Sequence, residues 1–296
     1  AQSDVGMLMM VSRQIISPQA NRPVMGVVQD TLLGAYLLSM ECRFFERAAA
    51  CHVVAHLRYA PLPLALPEPC VAHPVTLWSG KQLLSLLFPV DFAYGSAAAE
   101  REVGASDADA DADADADPSR RRTRPVIVDG KLLMGTLSKE TLGTSAGGII
   151  DVLFRTYNSA KTLRFMSEIQ RLVNAWLQQH GFNVSISDCV INDEGERRIR
   201  ERITIATKYA GDLAREPYAA DTPEALAIEQ TIVRILSKTL MQTAGIVEEE
   251  LGDANAIRSM VNAGSKGNPI NLSQICGCVG QQSIEGRRVF AEKGKR

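Results

Sequence analysis

Apolar residues in this chain fall first into short runs and later into helical stripes. Val24–Asp30 reads as a buried strand or loop entering Thr31-Leu-Leu-Gly-Ala-Tyr-Leu-Leu38, a short helix. Leu77–Pro89 predicts a second helix, with Ser79 as N-cap and Pro89 ending the pattern. Pro61, Pro63, Pro67 and Pro69 form a proline-rich connector between them. Two short β runs from Val126 to Gly135 flank Asp129-Gly130, a strong hairpin signal. Leu163, Met166, Ile169, Val173, Trp176 and Leu177 then recur every three or four residues, which predicts an amphipathic helix over 160–180 stopped by Gly181. Gly181–Asp188 reads as a short extended stretch.

Two further stripes follow. One turns Ile199, Ile203, Ala210 and Leu213 inward, the other Ala225, Leu226, Ile228, Ile232, Ile235, Leu236 and Leu240. Thr222-Pro223-Glu224 starts the second stripe with a cap, a proline at the first helical position and an acid at the positive helix end. The pair predicts a helical hairpin. The fold class expected is therefore α+β: a mixed domain of short strands and helices over 1–185, then a mainly helical domain over 186–296.

Composition alters this picture in one place. Asp107, Asp109, Asp111, Asp113, Asp115 and Asp117 alternate with alanine, and without those six the net charge of −2 becomes +4. This tract, within an insertion over about 96–124, has nothing to bury and is expected to be disordered. The modest positive remainder suits contact with nucleotides but falls short of a DNA-binding patch. Six scattered cysteines fit neither a disulfide framework nor a zinc ribbon, and Cys51, His52 and His56 lack the further cysteine pair a structural zinc needs. No metal site is expected in this chain. No apolar run approaches the roughly 20 residues of a spanning helix, and Ala1-Gln-Ser-Asp4 lacks a signal-peptide start, so a soluble protein is expected.

The candidate chemistry lies on lysines read as sitting in loops. Gly264 and Gly267 flank Lys266, which lets the backbone take positive φ and hold a cation on a short tether. The spacing is not that of a Walker phosphate loop. Asn262-Ala-Gly-Ser-Lys266-Gly, followed by Val279-Gly-Gln281-Gln282 and Glu285-Gly-Arg287-Arg288, resembles the funnel segment of the largest subunit of multisubunit DNA-directed RNA polymerases. There the Gly-Gln-Gln run is carried on a helix. Further stretches resemble the same family in the same order. They are Arg13–Asp30 with its Asn21-Arg22-Pro23, then Leu77-Trp78-Ser-Gly80-Lys81-Gln, and then Lys139-Glu140-Thr-Leu-Gly143-Thr-Ser-Ala-Gly147-Gly148.

The resemblance implies the pore and funnel of the secondary channel, which admits nucleoside triphosphates during DNA-templated RNA synthesis. It gives Lys139 and Lys266 a place on that channel, while Glu140 reverses the charge of the family's second pore lysine. Ser273, Gln274, Cys278, Gln281, Gln282, Ser283, Gly286, Arg287 and Arg288 match positions that bind α-amanitin in the nuclear messenger-RNA polymerase. Ser237 and Leu240 depart from the family's Asn and Arg, which implies weak or absent toxin sensitivity. The family's Asn-Ala-Asp-Phe-Asp-Gly-Asp run, which holds Mg2+, is absent, so the chain reads as a fragment inactive alone, with Mg2+ bound elsewhere in the whole enzyme. Implied partners are the second-largest and other polymerase subunits, nucleoside triphosphates, template DNA, RNA and a transcript-cleavage factor at the funnel, with no membrane. The implied location is the nucleus in a eukaryote, otherwise the cytoplasm, or a virion or infected cell. The alternative is a non-catalytic protein-binding module that keeps the funnel fold.

Overall fold

Nine consecutive residues of one short helix, Thr31 to Ser39, are all buried, so α1 (Gln29–Ser39) is a core helix with no wet face. A computed structural model of the chain describes residues 1–59, 66–95, 124–215, 222–284 and 287–288, with nothing on the side chain of Arg287. The Asp-Ala tract, Pro61, Pro63, Gly286 and residues 289–296 lie outside the described residues. The contacts divide the chain into two units. The first is Ala1–Phe182 with Asn262–Lys266, and the second is Asn183–Val261 with the described residues from Gly267 onward.

In the first unit α1 packs against a long helix, Ser159–His180, here called α6. Their crossing point is Gly34, where a Cβ would stand 2.4 Å from Val173 Cγ1 and 2.8 Å from Leu177 Cδ1. Between the two in sequence come α2 (Arg47–Val54), α3 (Gly80–Ser85), α4 (Lys139–Leu142) and α5 (Ile149–Thr156). Three antiparallel ribbons accompany them: β1–β2 (Ile16–Ser17 with Arg22–Pro23), β3–β4 (Phe44–Glu46 with Leu77–Ser79) and β5–β6 (Val126–Val128 with Lys131–Met134). Two-stranded ribbons are marginal alone, so the helices hold them. Ser39 is one such tie: fully buried, its hydroxyl donates to Tyr36 O and accepts the Leu137 N–H, both at 2.8 Å. The β5–β6 turn is Asp129-Gly130, with φ of 50° and 70°, as a two-residue hairpin demands.

Ser79 caps α3 in a reciprocal box with Gln82. That helix stops at Ser85, and three turn bonds carry the chain to Phe88, ahead of Pro89. Leu77–Ser79, expected to begin the helix, is strand β4, because it pairs with Phe44–Glu46. Val24–Val28 forms no element, and only Val27 of its valines is buried.

The second unit is mainly helical. It holds α7 (Asp193–Leu213), α8 (Pro223–Glu250), α9 (Ala256–Ala263, whose last two residues group with the first unit), α10 (Pro269–Cys276) and the ribbon β7–β8 (Ser283–Ile284 with Arg287–Arg288). The chain over Gly181–Asp188 is extended only to Ser185, after which Ile186–Cys189 closes into a 3-10 turn held by the Asp188 carboxylate. Helices α7 and α8 pack together as the expected hairpin, with Arg198 bonded to Glu249 and Glu250 at 2.8 Å. Thr222 caps α8 through the Ala225 N–H. The core contains Ile199, Ile246, Val247, Leu251, Ile257 and Leu272. Leu226 departs from the inward set: it is 57% exposed, because six residues before Ile232 place it about 120° around the helix from that buried position. The buried stripe instead runs on through Thr239, Thr243, Ala244, Ile246 and Val247.

Candidate functional site

Three stretches far apart in sequence meet around the four-residue helix α4. Ser138 precedes it, its N–H donating to Thr141 Oγ1 at 3.0 Å and its carbonyl accepting the Leu142 N–H at 2.8 Å. Lys139 is therefore the first residue of a helix, not a loop residue as the sequence suggested. The Gly26-Val27 segment lies on the far end of α4. Val27 N–H donates to Leu142 O at 2.9 Å, and a Cβ on Gly26 would stand 2.9 Å from Gly143 Cα. The third stretch is the turn after α9, where Gly264 has a φ of 71° and approaches the stem of Lys139. Lys139, Glu140 and Lys266 are exposed, while Ala263 and Leu142 are fully buried. The arrangement thus offers two wet ammonium groups on elements fixed by backbone contacts.

The Gly143–Gly148 loop is tied down from behind. Asp151, only 2% exposed, accepts the Gly147 N–H at 2.8 Å on Oδ2 and Arg155 Nε at 2.8 Å on Oδ1. Arg155 also donates to the carbonyl of Asn21 at 3.1 Å, which links the Asn21-Arg22-Pro23 turn to the same loop. No sequence pattern singled out Asp151 or Arg155, although their four-residue spacing on a helix is that of an ion pair.

Among the described residues, the toxin-matched positions separate into different environments in the second unit. Ser273 is fully buried, with its hydroxyl 3.3 Å from the equally buried Thr243 hydroxyl, so it faces the core and presents nothing to a surface ligand. Cys278 follows it, its N–H on Ser273 O at 3.0 Å and its sulfur 3.4 Å from Thr243 Oγ1. Gln274 and Gln282 both donate to Val279 O, at 3.2 and 3.3 Å, and Gln281 donates to the carbonyl of Gln282. Gln274 is on α10, whereas Gln281 and Gln282 are not on a helix. Helix α10 ends at Cys276 and Gly280 has a φ of 78°, so the chain turns into β7, where Ser283 pairs with Arg288. Arg288 makes a two-pronged bond to Glu229, at 2.9 and 3.1 Å. Neither Thr243 nor Glu229 carries a sequence signal for these roles.

Burial, with Cys189 and Asp188 nearby, pushes the Cys276 thiol up, away from the thiolate that attacks or binds metal. Among the described residues no group of three or more His, Cys, Asp or Glu side chains gathers to hold a metal ion, so these residues do not fit the Mg2+ of RNA synthesis. An open hollow of about 640 Å3 lies on α7 beside Glu196, Arg197, Arg200 and Glu201, but those charges are already paired among themselves and with Glu194. Among the described residues no helix is long and apolar enough to cross a membrane.

Two known families match the chain, one after the other in sequence. A family described as RNA polymerase Rpb1, domain 3, matches residues 14–189, and another, described as RNA polymerase Rpb1, domain 4, matches residues 215–296. The first match alone covers more than half of the chain, and it takes in the turn at Asn21, helix α4 and the loop tied to Asp151. The chain therefore belongs to the family of the RNA polymerase largest subunit, in its pore and funnel region.

Proposed function

We propose that this chain forms wall of the secondary channel through which nucleoside triphosphates reach the site of RNA synthesis, with Lys139 and Lys266 as the cations that meet the triphosphate. The observation that carries the reading is the meeting of α4 with the Gly264–Lys266 turn inside one unit, which gathers two exposed lysines that the sequence keeps far apart. Fixed cations at a narrow passage raise the local concentration of a polyanion and offset part of its desolvation. They perform no bond-breaking themselves. The carboxylates that hold Mg2+ and align the in-line attack belong to a run of residues not present in this sequence.

The finer partners follow from the same reading. The second-largest subunit, template DNA, RNA and a transcript-cleavage factor at the α7–α8 hairpin are the neighbours expected in the assembled enzyme. The exposed apolar run Val5, Met7, Leu8, Met9, Met10 and Val11 supports burial against other polypeptide.

The test is Lys266→Gln in the complete polymerase. Losing one partly screened cation–phosphate contact is expected to raise the apparent KM for nucleotide roughly two- to tenfold, with kcat unchanged. An unchanged KM and an unchanged elongation rate overturn the reading.

A further inference from the structure

Lys139 carries its ammonium on a long flexible stem, yet the root of that stem is crowded. A Cβ built on Gly264 would stand 2.6 Å from Lys139 Cβ and 3.2 Å from Cδ. Contact with Cδ could be relieved by rotating a side chain. Contact with Cβ cannot, because that atom is fixed by the backbone, so any side chain at 264 forces either α4 or the turn to move. Helix α4 is held on its other side by the Val27 to Leu142 bond and by Gly26 against Gly143. The turn carrying Lys266 is the part that yields. Gly267 offers a contrast: its φ is as positive, at 78°, but a Cβ there would meet only Val261 Cγ2 at an ordinary 3.5 Å.

We propose that Gly264 is a positioning residue that sets the spacing of the two lysine-bearing elements by packing bare backbone against the root of Lys139. The inference rests on the reading of Lys139 and Lys266 as triphosphate contacts. Its effect is pre-organisation: with both elements locked before the nucleotide arrives, less ordering is left to offset on binding. A single added methyl group at 264 displaces Lys266 without touching its charge.

The test uses the assembled polymerase with Lys139→Met, Lys139→Gly, Gly264→Ala, Gly267→Ala, and Gly264→Ala combined with each Lys139 variant, reading nucleotide KM and kcat separately. Lys139→Met keeps the Cβ and removes the charge, whereas Lys139→Gly removes both. Gly264→Ala is expected to raise KM roughly two- to tenfold with kcat unchanged, to do so again on Lys139→Met, and on Lys139→Gly to add no more than the backbone strain that Gly267→Ala reports. Gly267→Ala, which shares the positive φ and its strain but not the contact, raises KM less than Gly264→Ala does. Equal increments on the Met and Gly backgrounds, or an effect no larger than that of Gly267→Ala, overturn the proposal while leaving the lysine reading in place. An unchanged KM for Lys139→Met overturns the lysine reading, and the proposal with it. If Gly264→Ala blocks assembly, the yield of complex is read instead: recovery on adding Lys139→Gly supports the contact, and no recovery overturns it.

Discussion

Asp151 and Arg155 meet at 2.8 Å one turn apart on α5, and the other oxygen of the same buried carboxylate holds the N–H of Gly147. One side chain thus satisfies a helix partner and fixes the loop that follows Gly143. Arg155 is 43% exposed and Asp151 only 3% by side chain, so the two ends of the pair are not equivalent. Asp151→Asn leaves either the guanidinium or the Gly147 N–H facing an amide N–H2, and it is expected to cost about 2–3 kcal/mol. Arg155→Ala, on the wetter side, is expected to cost about 1 kcal/mol or less. Denaturant unfolding of the two variants checks the order, and equal losses would contradict it.

The α1–α6 crossing gives a second expectation. A Cβ at position 34 would lie 2.4 Å from Val173 Cγ1, so the helix propensity gained by Gly34→Ala is outweighed by overpacking. The net loss is expected at about 1–3 kcal/mol. Val173→Ala opens the same space, and the double variant should lose less than the two single losses added together. Strict additivity in thermal unfolding would remove Gly34 from the contact.

His180 supplies a pH dependence. It stacks on Trp176 with ring centres 4.5 Å apart, and burial, then the nearby Arg43 charge, lower its pKa from 6.5. Folding therefore favours the neutral ring, and the unfolded chain binds more protons just below that value. Stability should rise with pH across the window between the lowered folded value and 6.5 and level off above it. His180→Gln is expected to flatten that rise in a stability–pH series, and an undiminished slope would contradict the assignment.

Toxin response is a fourth expectation. Leu240 Cδ2 lies 3.2 Å from where a Gly280 side chain would begin, so apolar packing occupies a place where the resemblance implies an arginine. Ser273 is spent on Thr243. The assembled enzyme is expected to resist α-amanitin, and a submicromolar inhibition constant would contradict this.

The long helices and the hairpin turns were legible because each is written locally. Ser79, Asp129-Gly130 and Thr222-Pro223 carry their own caps and turns, and each appears where the pattern puts it. Leu226 misled because its neighbours Ala225 and Ile228 share a face that it does not. Gln281 and Gln282 were read onto a helix, but α10 ends at Cys276 and Gly280 then turns the chain with a positive φ. The candidate site was proposed from the sequence as two lysines and was illegible there as a place. Nothing in Ser138-Lys139 or in Gly264-Ser-Lys266 says that they touch, because that contact is made by an absent side chain meeting a Cβ across the fold. Thr243 and Asp151 escaped for a related reason: lone polar residues in helical stripes reveal their partners only once packed.

The most direct test of the channel-wall account is photocrosslinking from a nucleoside triphosphate bearing an aryl azide on its γ-phosphate, in the complete polymerase, with the adducts mapped by mass spectrometry. The account predicts adducts on 138–148 and 262–266, competed away by unmodified nucleotide. Competable labelling of the polymerase that leaves both segments unmodified would contradict it.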